Sequence, residues 1–197
     1  KTYPKIGWIF KINRIFSNQY FYDNRLHTYP DPRNNPYSGV HNVHVPNGIY
    51  DVGKSRTNKI EADKVVELII SHLKERPEDS LGIVALSQSQ INCIEDQFLN
   101  FINEKPEYEE LLNQFKNNQL AEPLIFKSLE NIQGDERDHI IISVGYGPDS
   151  KGTVSNNFGP LIKEGGQKRL NVLVSRAKIR IDIVHSLLHQ NVYSMLK

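Results

Sequence analysis

HIIISVGYG, residues 139–147, decides the fold because it is the most apolar run in the chain. A continuous apolar run of this length is typical of a strand buried on both faces of a parallel sheet. LGIVAL at 81–86 has the same character, and PLIFKS at 123–128 is also strand-like. HNVHV at 41–45 alternates between polar and apolar residues, and IRIDIVHSL at 179–187 follows as the last such run. We predict a β-strand at each of these five places.

Helices are predicted between the strands from apolar residues that recur every three to four positions. The predicted helices are Thr57–Lys74, Ser87–Asn103, Pro106–Asn118 and Gln167–Lys178. Asn58 can cap the first helix, and Glu61 completes a capping-box-like pair with it. Strands that alternate with helices imply crossover connections, a parallel sheet and a three-layer α/β domain. Ligands of such sheets bind beyond the carboxyl ends of the strands, so we expect the chemistry in residues 46–58, 87–90, 128–138 and 146–169.

The length of 197 residues fits one domain with an extension. Residues 1–40 are rich in aromatic and turn-forming residues, and the α/β domain is predicted over residues 41–197. FSNQYFYDNRL at 16–26 can form a short helix, whereas YPDPRNNPYSG at 29–39 should be an irregular surface loop. The chain starts at Lys1 without a signal-peptide pattern, so we expect it to be a segment of a longer protein.

Composition excludes several classes of site. The net charge is +1, so a surface that binds a polyanion must be local. Cys93 is the single cysteine, which excludes an intramolecular disulfide and a four-cysteine zinc site and favours a reducing, intracellular and cytoplasmic setting. No apolar run approaches the ~18 residues of a membrane span, so no membrane partner is expected.

Gly48–Ser55 fits the P-loop pattern GxxxxGK[ST], in which backbone N–H groups wrap phosphate oxygens. We reject this interpretation for three reasons. The preceding strand is polar, and no later strand ends in an acidic residue that could hold the metal. Bulky Ile49, Tyr50 and Val52 also stand where a phosphate cradle needs small residues. We predict a solvated loop before a capped helix, with a self-contained P-loop NTPase as the open alternative.

In SLENIQGDERDHIIISVGYG, residues 128–147, a polar turn separates two strand-like runs. Gly134 lets the backbone approach a ligand closely, and carboxylates follow it at Asp135, Glu136 and Asp138. Taken alone, this turn is more often a charged loop than a binding site.

GGQKRLNVLVSRAKIRIDIV, residues 165–184, reads as a helix that continues into a strand. Its apolar face would hold Leu170, Leu173, Val174 and Ala177. Arg169 and Arg176 are seven residues apart, so two helical turns would return them to nearly the same azimuth. Residues 163–180 contain six basic residues and one acid, a pattern that is also common on solvated helix faces.

Together, QGDERD at 133–138 and RLNVLVSRA at 169–177 resemble motifs V and VI of superfamily 1 helicases. The subgroup concerned has motifs that read QGxExD and RLNVAxTRA, and Leu173 and Ser175 are mild departures from its Ala and Thr. The resemblance covers nearly the whole chain. It implies the second, C-terminal RecA-like domain of such an enzyme, with a P-loop NTPase-like fold but no working P-loop of its own.

In this family ATP lies between two RecA-like domains. The resemblance implies that the N-terminal RecA-like domain of the parent protein supplies the P-loop and the Mg²⁺-binding acids. It implies that Arg176 is the arginine finger, whose planar guanidinium can hold two phosphate oxygens. It also implies that Gln133, Gly134 and Glu136 approach the nucleotide.

Two further nucleotide candidates have weaker support. Arg169 matches a motif VI position, but it could instead pair with Asp135 or Asp138 as a structural brace. The family also has a second arginine in a Tyr-Arg-Ser or Tyr-Arg-Met motif near the start of this domain. GWIFKINRIFSN at 7–18 has no such pair, and Lys11 or Arg14 would have to substitute.

GIVALSQSQ at 82–90 resembles the motif IV region, with Gln90 at the glutamine of that motif. The resemblance implies that a nucleic-acid strand, DNA or RNA, crosses this side of the domain. Ser87, Gln90 and Ser128 are the candidate contacts to its backbone. Such contacts carry little base information, so no sequence preference is expected.

The sequence leaves two main alternatives open. One is the C-terminal motor domain of an ATP-dependent helicase or translocase, which would be inactive as an isolated fragment. The other is a non-catalytic nucleic-acid-binding module with a degenerate helicase fold.

Overall fold

The computed structural model describes residues 37–117 and 122–187. The α-helices and strands in these ranges are β1 (Gly39–His44), α1 (Lys59–Glu75), β2 (Leu81–Ala85), α2 (Gln88–Glu104), α3 (Pro106–Asn117), β3 (Ile125–Ser128), β4 (Arg137–Ser143), α4 (Gly166–Val174) and β5 (Ala177–His185), and a short 3-10 helix at Gly159–Leu161 precedes α4. The helix predicted at 16–26 lies outside the described residues. The domain division at residue 40 stays a prediction, and β1 begins just before it.

The strands form one sheet in the order β1-β5-β4-β2-β3, and every neighbouring pair is parallel. All the carboxyl ends therefore lie along one border of the sheet, which we call the carboxyl edge. The opposite border is the amino edge. The predicted parallel α/β architecture of the RecA-like class is confirmed.

Two apolar clusters cover the two faces of the sheet, because successive side chains of a strand point to opposite sides. On one face, Ile83 and Ile141 belong to the cluster that includes the buried apolar residues of α1, α2 and α3. On the other face, Val84 and Ile140 pack in the cluster that contains Leu173 of α4. These clusters make the three layers of the domain.

The connection from β3 to β4 has no helix. Residues 129–136 run from the carboxyl edge to the amino edge along the α4 face, where Leu129 and Ile132 are buried. Just before β4 the backbone of Gly134 has φ +94°, in the left-handed region that favours glycine. The turn itself therefore requires a glycine at this position.

Helix α4 is shorter than the predicted Gln167–Lys178, since it ends at Val174. The N–H of Arg137 donates to the carbonyl of Arg176 over 3.0 Å, and Ala177 is paired with Arg137 in the sheet. Sheet pairing therefore ends the helix early. Arg176 lies in a turn, so the expectation that Arg169 and Arg176 share one helix azimuth was wrong.

Candidate functional site

The predicted site residues lie on two opposite edges of the sheet. Residues 133–136 lead into the start of β4, and Arg176 immediately precedes β5, so both are at the amino edge. Ser87 follows β2 and Ser128 ends β3, so both are at the carboxyl edge. The expectation that all the chemistry would lie at the carboxyl ends was therefore wrong for 133–136, because the crossover carries this segment across the sheet.

At the amino edge, the guanidinium of Arg176 rests against the end of α4. Its Nε donates to the carbonyl of Val172 over 3.0 Å, and Nη2 donates to the hydroxyl of Ser175 over 3.1 Å. Its Nη1 lies 3.9 Å from a carboxylate oxygen of Glu136, and the side chain is 20% exposed. The guanidinium is thus held at the surface by one main-chain carbonyl, one hydroxyl and a distant carboxylate.

Gln133, Gly134 and Glu136 are exposed at this edge, and Glu136 is the residue that lies beside Arg176. A Cβ atom added to Gly134 would meet no atom within 4 Å, so the surface above this glycine is open. Motif-like residues from two separate segments of the chain are therefore brought together. They present a carboxylate, a guanidinium and accessible backbone on one surface.

The other charged residues of QGDERD make contacts within the domain. Buried Arg137 donates from Nη1 to the carboxylate of Glu122 over 2.6 Å and from Nε to the carbonyl of Pro123 over 3.1 Å. The carboxylate of Asp138 accepts from both the N–H and the hydroxyl of Ser80, at 2.9 and 2.6 Å. These residues fix the amino ends of the strands and are not available to a ligand.

Arg169 does not act as the brace that was considered. Its Nη1 donates to the main-chain carbonyls of Glu164 over 2.9 Å and of Pro160 over 3.2 Å. Asp135 instead lies 4.0 Å from Lys127. Arg169 therefore fixes the loop that precedes α4 and does not bind the acidic turn.

At the carboxyl edge, Gln90 is part of a buried polar network. Its Oε1 accepts from the N–H of Asn58 over 2.7 Å, and its Nε2 donates to the carbonyl of Asn58 and to the hydroxyl of Ser143. The residue is 0% exposed. The contact of Gln90 with a nucleic-acid strand stays a prediction, and in this structure the whole amide ties α2 to the start of α1.

Glu61 lies at the centre of the same network and is also 0% exposed. Its main-chain N–H donates to Oδ1 of Asn58, so the predicted helix cap is confirmed. Its carboxylate accepts from the N–H of Gly145 over 2.6 Å and from the hydroxyls of Ser143 and Ser186 over 2.7 and 3.1 Å. Burial raises the pKa of Glu61 to about 7 despite these hydrogen bonds, which favour the charged form.

The two candidate serines differ in their surroundings. Ser128 is buried, and its hydroxyl accepts from the side-chain amide of Asn131 over 3.1 Å. Ser87 is half-buried and caps α2 by accepting from the N–H of Gln90 over 3.2 Å. Ser87 is thus the more accessible of the two.

The segment that fits the P-loop pattern is a closed turn before α1. The carboxylate of Asp51 accepts from the N–H and the hydroxyl of Ser55, at 3.2 and 2.9 Å. The helix begins only at Lys59, whereas a P-loop passes directly into its helix. A Cβ on Gly48 would lie 1.9 Å from the hydroxyl of Ser186, so this glycine is required by packing. The rejection of a P-loop in this segment fits this geometry.

A family model described as an AAA domain matches residues 11–187. The chain belongs to the AAA domain family. It is 35% identical over 180 residues to an uncharacterized ATP-dependent helicase of Mycoplasma genitalium and 32% identical over 181 residues to the corresponding protein of Mycoplasma pneumoniae. Each match covers 88% of this chain but 14% of the relative, so the chain spans about one seventh of the length of these helicases.

Among solved structures, the AAA domain is similar to the C-terminal domain of a possible DNA helicase from Lactobacillus plantarum. The identity is 16%, the TM-score is 0.36, and the match covers 77% of this chain and 76% of the other. Within the described part of this AAA domain, no helix has the length and apolar character that a membrane span requires. Lys11, the remaining candidate for nucleotide binding, lies outside the described residues.

The AAA domain also contains a buried polar cluster that the sequence did not reveal. The cluster joins α1, β4 and β5 to Tyr37, and its members are Tyr37, His72, His139, Arg180 and Asp182. The pKa of His72 is lowered to about 4, chiefly by burial, and burial also lowers the pKa of His139. Burial raises the pKa of Asp182, but hydrogen bonds from His139 and Arg180 outweigh it and leave that pKa lowered.

No motif signals this cluster, since its residues are scattered along the chain and each is unremarkable where it stands. One weak sign was available in the sequence. Arg180 and Asp182 alternate with the isoleucines of IRIDIV and so lie on one face of the predicted strand, and an acidic residue on a covered face of a sheet needs a buried partner.

Proposed function

We propose that this AAA domain is the C-terminal motor domain of an ATP-dependent superfamily 1 helicase or translocase. Its amino edge would face a nucleotide held on the N-terminal RecA-like domain of the same parent protein. One observation carries the proposal: two separate segments place Arg176 and Glu136 side by side on an open surface of that edge. The names of the two Mycoplasma relatives support the same class of activity.

Arg176 is proposed as the arginine finger. Its present contacts are weak enough to be exchanged, because one is a 3.9 Å ion pair with an exposed carboxylate and the others are a carbonyl and a hydroxyl. A γ-phosphate offers a doubly charged acceptor that a guanidinium can grip with two parallel N–H groups. Such a finger stabilises the charge that develops during phosphoryl transfer.

Glu136, Gln133 and Gly134 are proposed to border the nucleotide. A carboxylate suits the hydroxyl groups of a ribose, and the open space above Gly134 allows close approach of the backbone. Arg169 would act on the nucleotide only through the loop that it holds. Lys11 remains a candidate for a second contact to phosphate, and ATP and Mg²⁺ would be bound jointly with the N-terminal domain.

The carboxyl edge is proposed as part of the nucleic-acid track. Ser87 is half-buried at the N-terminus of α2, where main-chain N–H groups and the helix dipole favour a phosphate. Ser128 ends the neighbouring strand and would contribute at most through its main chain, because its hydroxyl is buried. A single-stranded or duplex nucleic acid, without sequence preference, is the proposed ligand in a cytoplasmic setting.

The test is nucleic-acid-stimulated ATP hydrolysis by the full-length parent protein. We expect Arg176→Ala to lower the stimulated kcat by roughly 10³–10⁵-fold. Lys178→Ala is the matched control, because Lys178 is an exposed cation at the same edge that pairs with Glu122 over 3.4 Å. The control should keep the turnover of the unaltered protein.

Two results would contradict the proposal. Stimulated hydrolysis that survives Arg176→Ala would show that this arginine is not the finger. Strand binding without any stimulated hydrolysis in the unaltered parent would instead indicate a non-catalytic nucleic-acid-binding module.

A further inference from the structure

Three polar atoms of the buried cluster form a small triangle. Nδ1 of His72 lies 3.0 Å from Nδ1 of His139. The hydroxyl oxygen of Tyr37 lies 3.1 Å from Nδ1 of His139 and 3.4 Å from Nδ1 of His72. The three atoms come from the segment before β1, from α1 and from β4, so the tertiary fold brings them together.

The Nε2 atoms of both imidazoles act as hydrogen-bond donors. Nε2 of His72 lies 2.8 Å from the carbonyl of Asp79, and a carbonyl can only accept. Nε2 of His139 lies 3.1 Å from the carboxylate of Asp182, which also accepts two hydrogen bonds from Arg180, at 2.8 and 3.1 Å. Each neutral ring therefore carries its proton on Nε2 and presents a lone pair on Nδ1.

Two lone pairs then face each other across 3.0 Å, and Tyr37 has one hydroxyl proton to offer. That proton can satisfy one Nδ1 atom at a time. The triangle therefore needs a further positive centre. A proton on one imidazole is opposed by burial of both rings, since desolvation disfavours the charged form.

A metal ion supplies a positive centre to both Nδ1 lone pairs, and the spacing of the three atoms suits it. Zn²⁺ binds imidazole nitrogen at about 2.0–2.1 Å, so neighbouring ligand atoms of a tetrahedral site lie about 3.3 Å apart. The three edges of 3.0, 3.1 and 3.4 Å are close to that spacing. Imidazoles that bind a metal usually donate their other N–H to a carboxylate or a main-chain carbonyl, as both rings do here.

We propose that His72, His139 and Tyr37 form a binding site for a divalent transition-metal ion, with Zn²⁺ as the chemical type. Within the described residues, no group of three or more His, Cys, Asp or Glu side chains is placed to hold a metal, and here the third ligand is the oxygen of Tyr37. The three ligands lie toward the amino ends of β1 and β4, on the face of the sheet that α1 covers, and none of them is a residue of the proposed nucleotide or nucleic-acid sites. The proposal does not depend on the proposed helicase activity.

The cavity and the charged residues around the three ligands are compatible with a bound cation. A cavity of about 50 Å³ adjoins the three ligands, so a water molecule can fill a fourth position. The guanidinium groups of Arg76 and Arg180 lie over the ring of Tyr37. Their charges are balanced by Asp79 at 3.8 Å and Asp182 at 2.8 Å, which leaves the site near neutrality before an ion binds.

The test uses the full 197-residue chain after treatment with a chelator. Titration with Zn²⁺ should show one ion bound per chain by calorimetry and metal analysis. Co²⁺ in place of Zn²⁺ should give the visible absorption of a four-coordinate site. Zn²⁺ should also raise the midpoint of thermal unfolding, because a ligand that binds the folded state stabilises it.

Substitutions test whether the ion binds at His72, His139 and Tyr37. His139→Ala should abolish binding, and Tyr37→Phe should weaken binding and shift the Co²⁺ absorption while keeping the stacked ring. Asp182→Asn should weaken binding by roughly 10–100-fold, since this carboxylate orients His139. The matched control is His44→Ala, because His44 and His185 form another histidine pair, with ring centroids 5.2 Å apart.

The proposal fails if the unaltered chain binds no ion, or if His44→Ala lowers binding as much as His139→Ala does. It also fails if Tyr37→Phe binds Zn²⁺ with unchanged affinity and an unchanged Co²⁺ spectrum. Circular dichroism identifies a variant that does not fold, and Tyr37→Phe then decides the question, because it removes one oxygen atom and leaves the ring in place.

Discussion

Nη1 of Arg176 lies 3.9 Å from a carboxylate oxygen of Glu136, although the two residues stand on either side of strand β4 and helix α4 in the chain. Both precede paired strands, and the pairing of Arg137 with Ala177 sets their separation. The sheet register, and no direct bond between the side chains, therefore keeps the two charges adjacent.

Glu136→Gln should weaken ATP binding by the parent protein more than it slows ATP turnover. If Glu136 borders the nucleotide sugar, we expect the KM for ATP of the parent protein to rise while kcat changes less than about twofold. Folding stability should change by less than about 1 kcal/mol, because the ion pair is exposed and long. A fall in kcat as large as that of Arg176→Ala would place Glu136 in the transition state instead.

Gln90→Ala should destabilise the domain through buried polar groups. The substitution leaves the N–H of Asn58 without its partner and removes the hydrogen bond that the Ser143 hydroxyl accepts, and we expect a loss of about 2–4 kcal/mol. Urea unfolding measures this loss. Gln88→Ala, in the first turn of the same helix, is the control, because exposed Gln88 bonds only to Asn92 among the hydrogen bonds found, and an equal loss there would contradict the assignment.

Glu61 should make stability depend on pH. Its pKa is raised from 4.5 to about 7 in the folded chain, so the folded state holds a proton that the unfolded state has released between these values. The contribution of Glu61 to stability should therefore be highest below about pH 4.5, fall by up to about 3 kcal/mol as the pH rises to about 7, and change little above it.

Glu61→Gln checks this dependence, because the amide keeps the shape of the side chain without a titrating proton. The difference in unfolding free energy between the two proteins should vary from pH 4.5 to 7 and then level off. A constant difference across that range would show that Glu61 does not titrate there. Glu67→Gln, on the exposed side of α1, is the matched control.

Lys54→Ala should have no effect on catalysis. Lys54 is exposed in a closed turn, and the helix starts beyond it. We expect the change in stability to stay within about 0.5 kcal/mol and the stimulated ATPase of the parent to be retained. Loss of ATPase on this substitution, with stability unchanged, would restore the P-loop interpretation.

The strand runs and the cap of α1 were predictable because they depend on local patterns. All five residues of HIIIS, 139–143, are buried in β4. Asn58 and Glu61 are three residues apart, so the helix cap that they form is a short-range signal. The end of α4 was not predictable from periodicity, since Leu173 and Ala177 keep a helical spacing. Sheet pairing at Ala177 overrides that spacing, and pairing depends on residues far away in the chain.

The site followed the same rule. The sequence predicted which residues belong to the motifs but not the edge of the sheet on which they lie, because the side on which a segment lies depends on the path of the crossover. Gln90 was predicted to contact nucleic acid because it stands at the glutamine of the motif IV region. Its burial depends on Asn58 and Ser143, and no local pattern indicates that these residues converge.

The helix-free crossover of residues 129–136 has a mechanical consequence. It starts beside Ser128 at the carboxyl edge and ends at Glu136 at the amino edge, and buried Leu129 and Ile132 anchor it to the sheet. Eight residues of main chain therefore join the two edges, and hydrogen-bonded turns from Asn131 to Ser128 and from Asp135 to Ile132 fold this chain between them. We expect a substitution that loosens Leu129 or Ile132 to disturb the position of Glu136 as well as the end of the neighbouring strand.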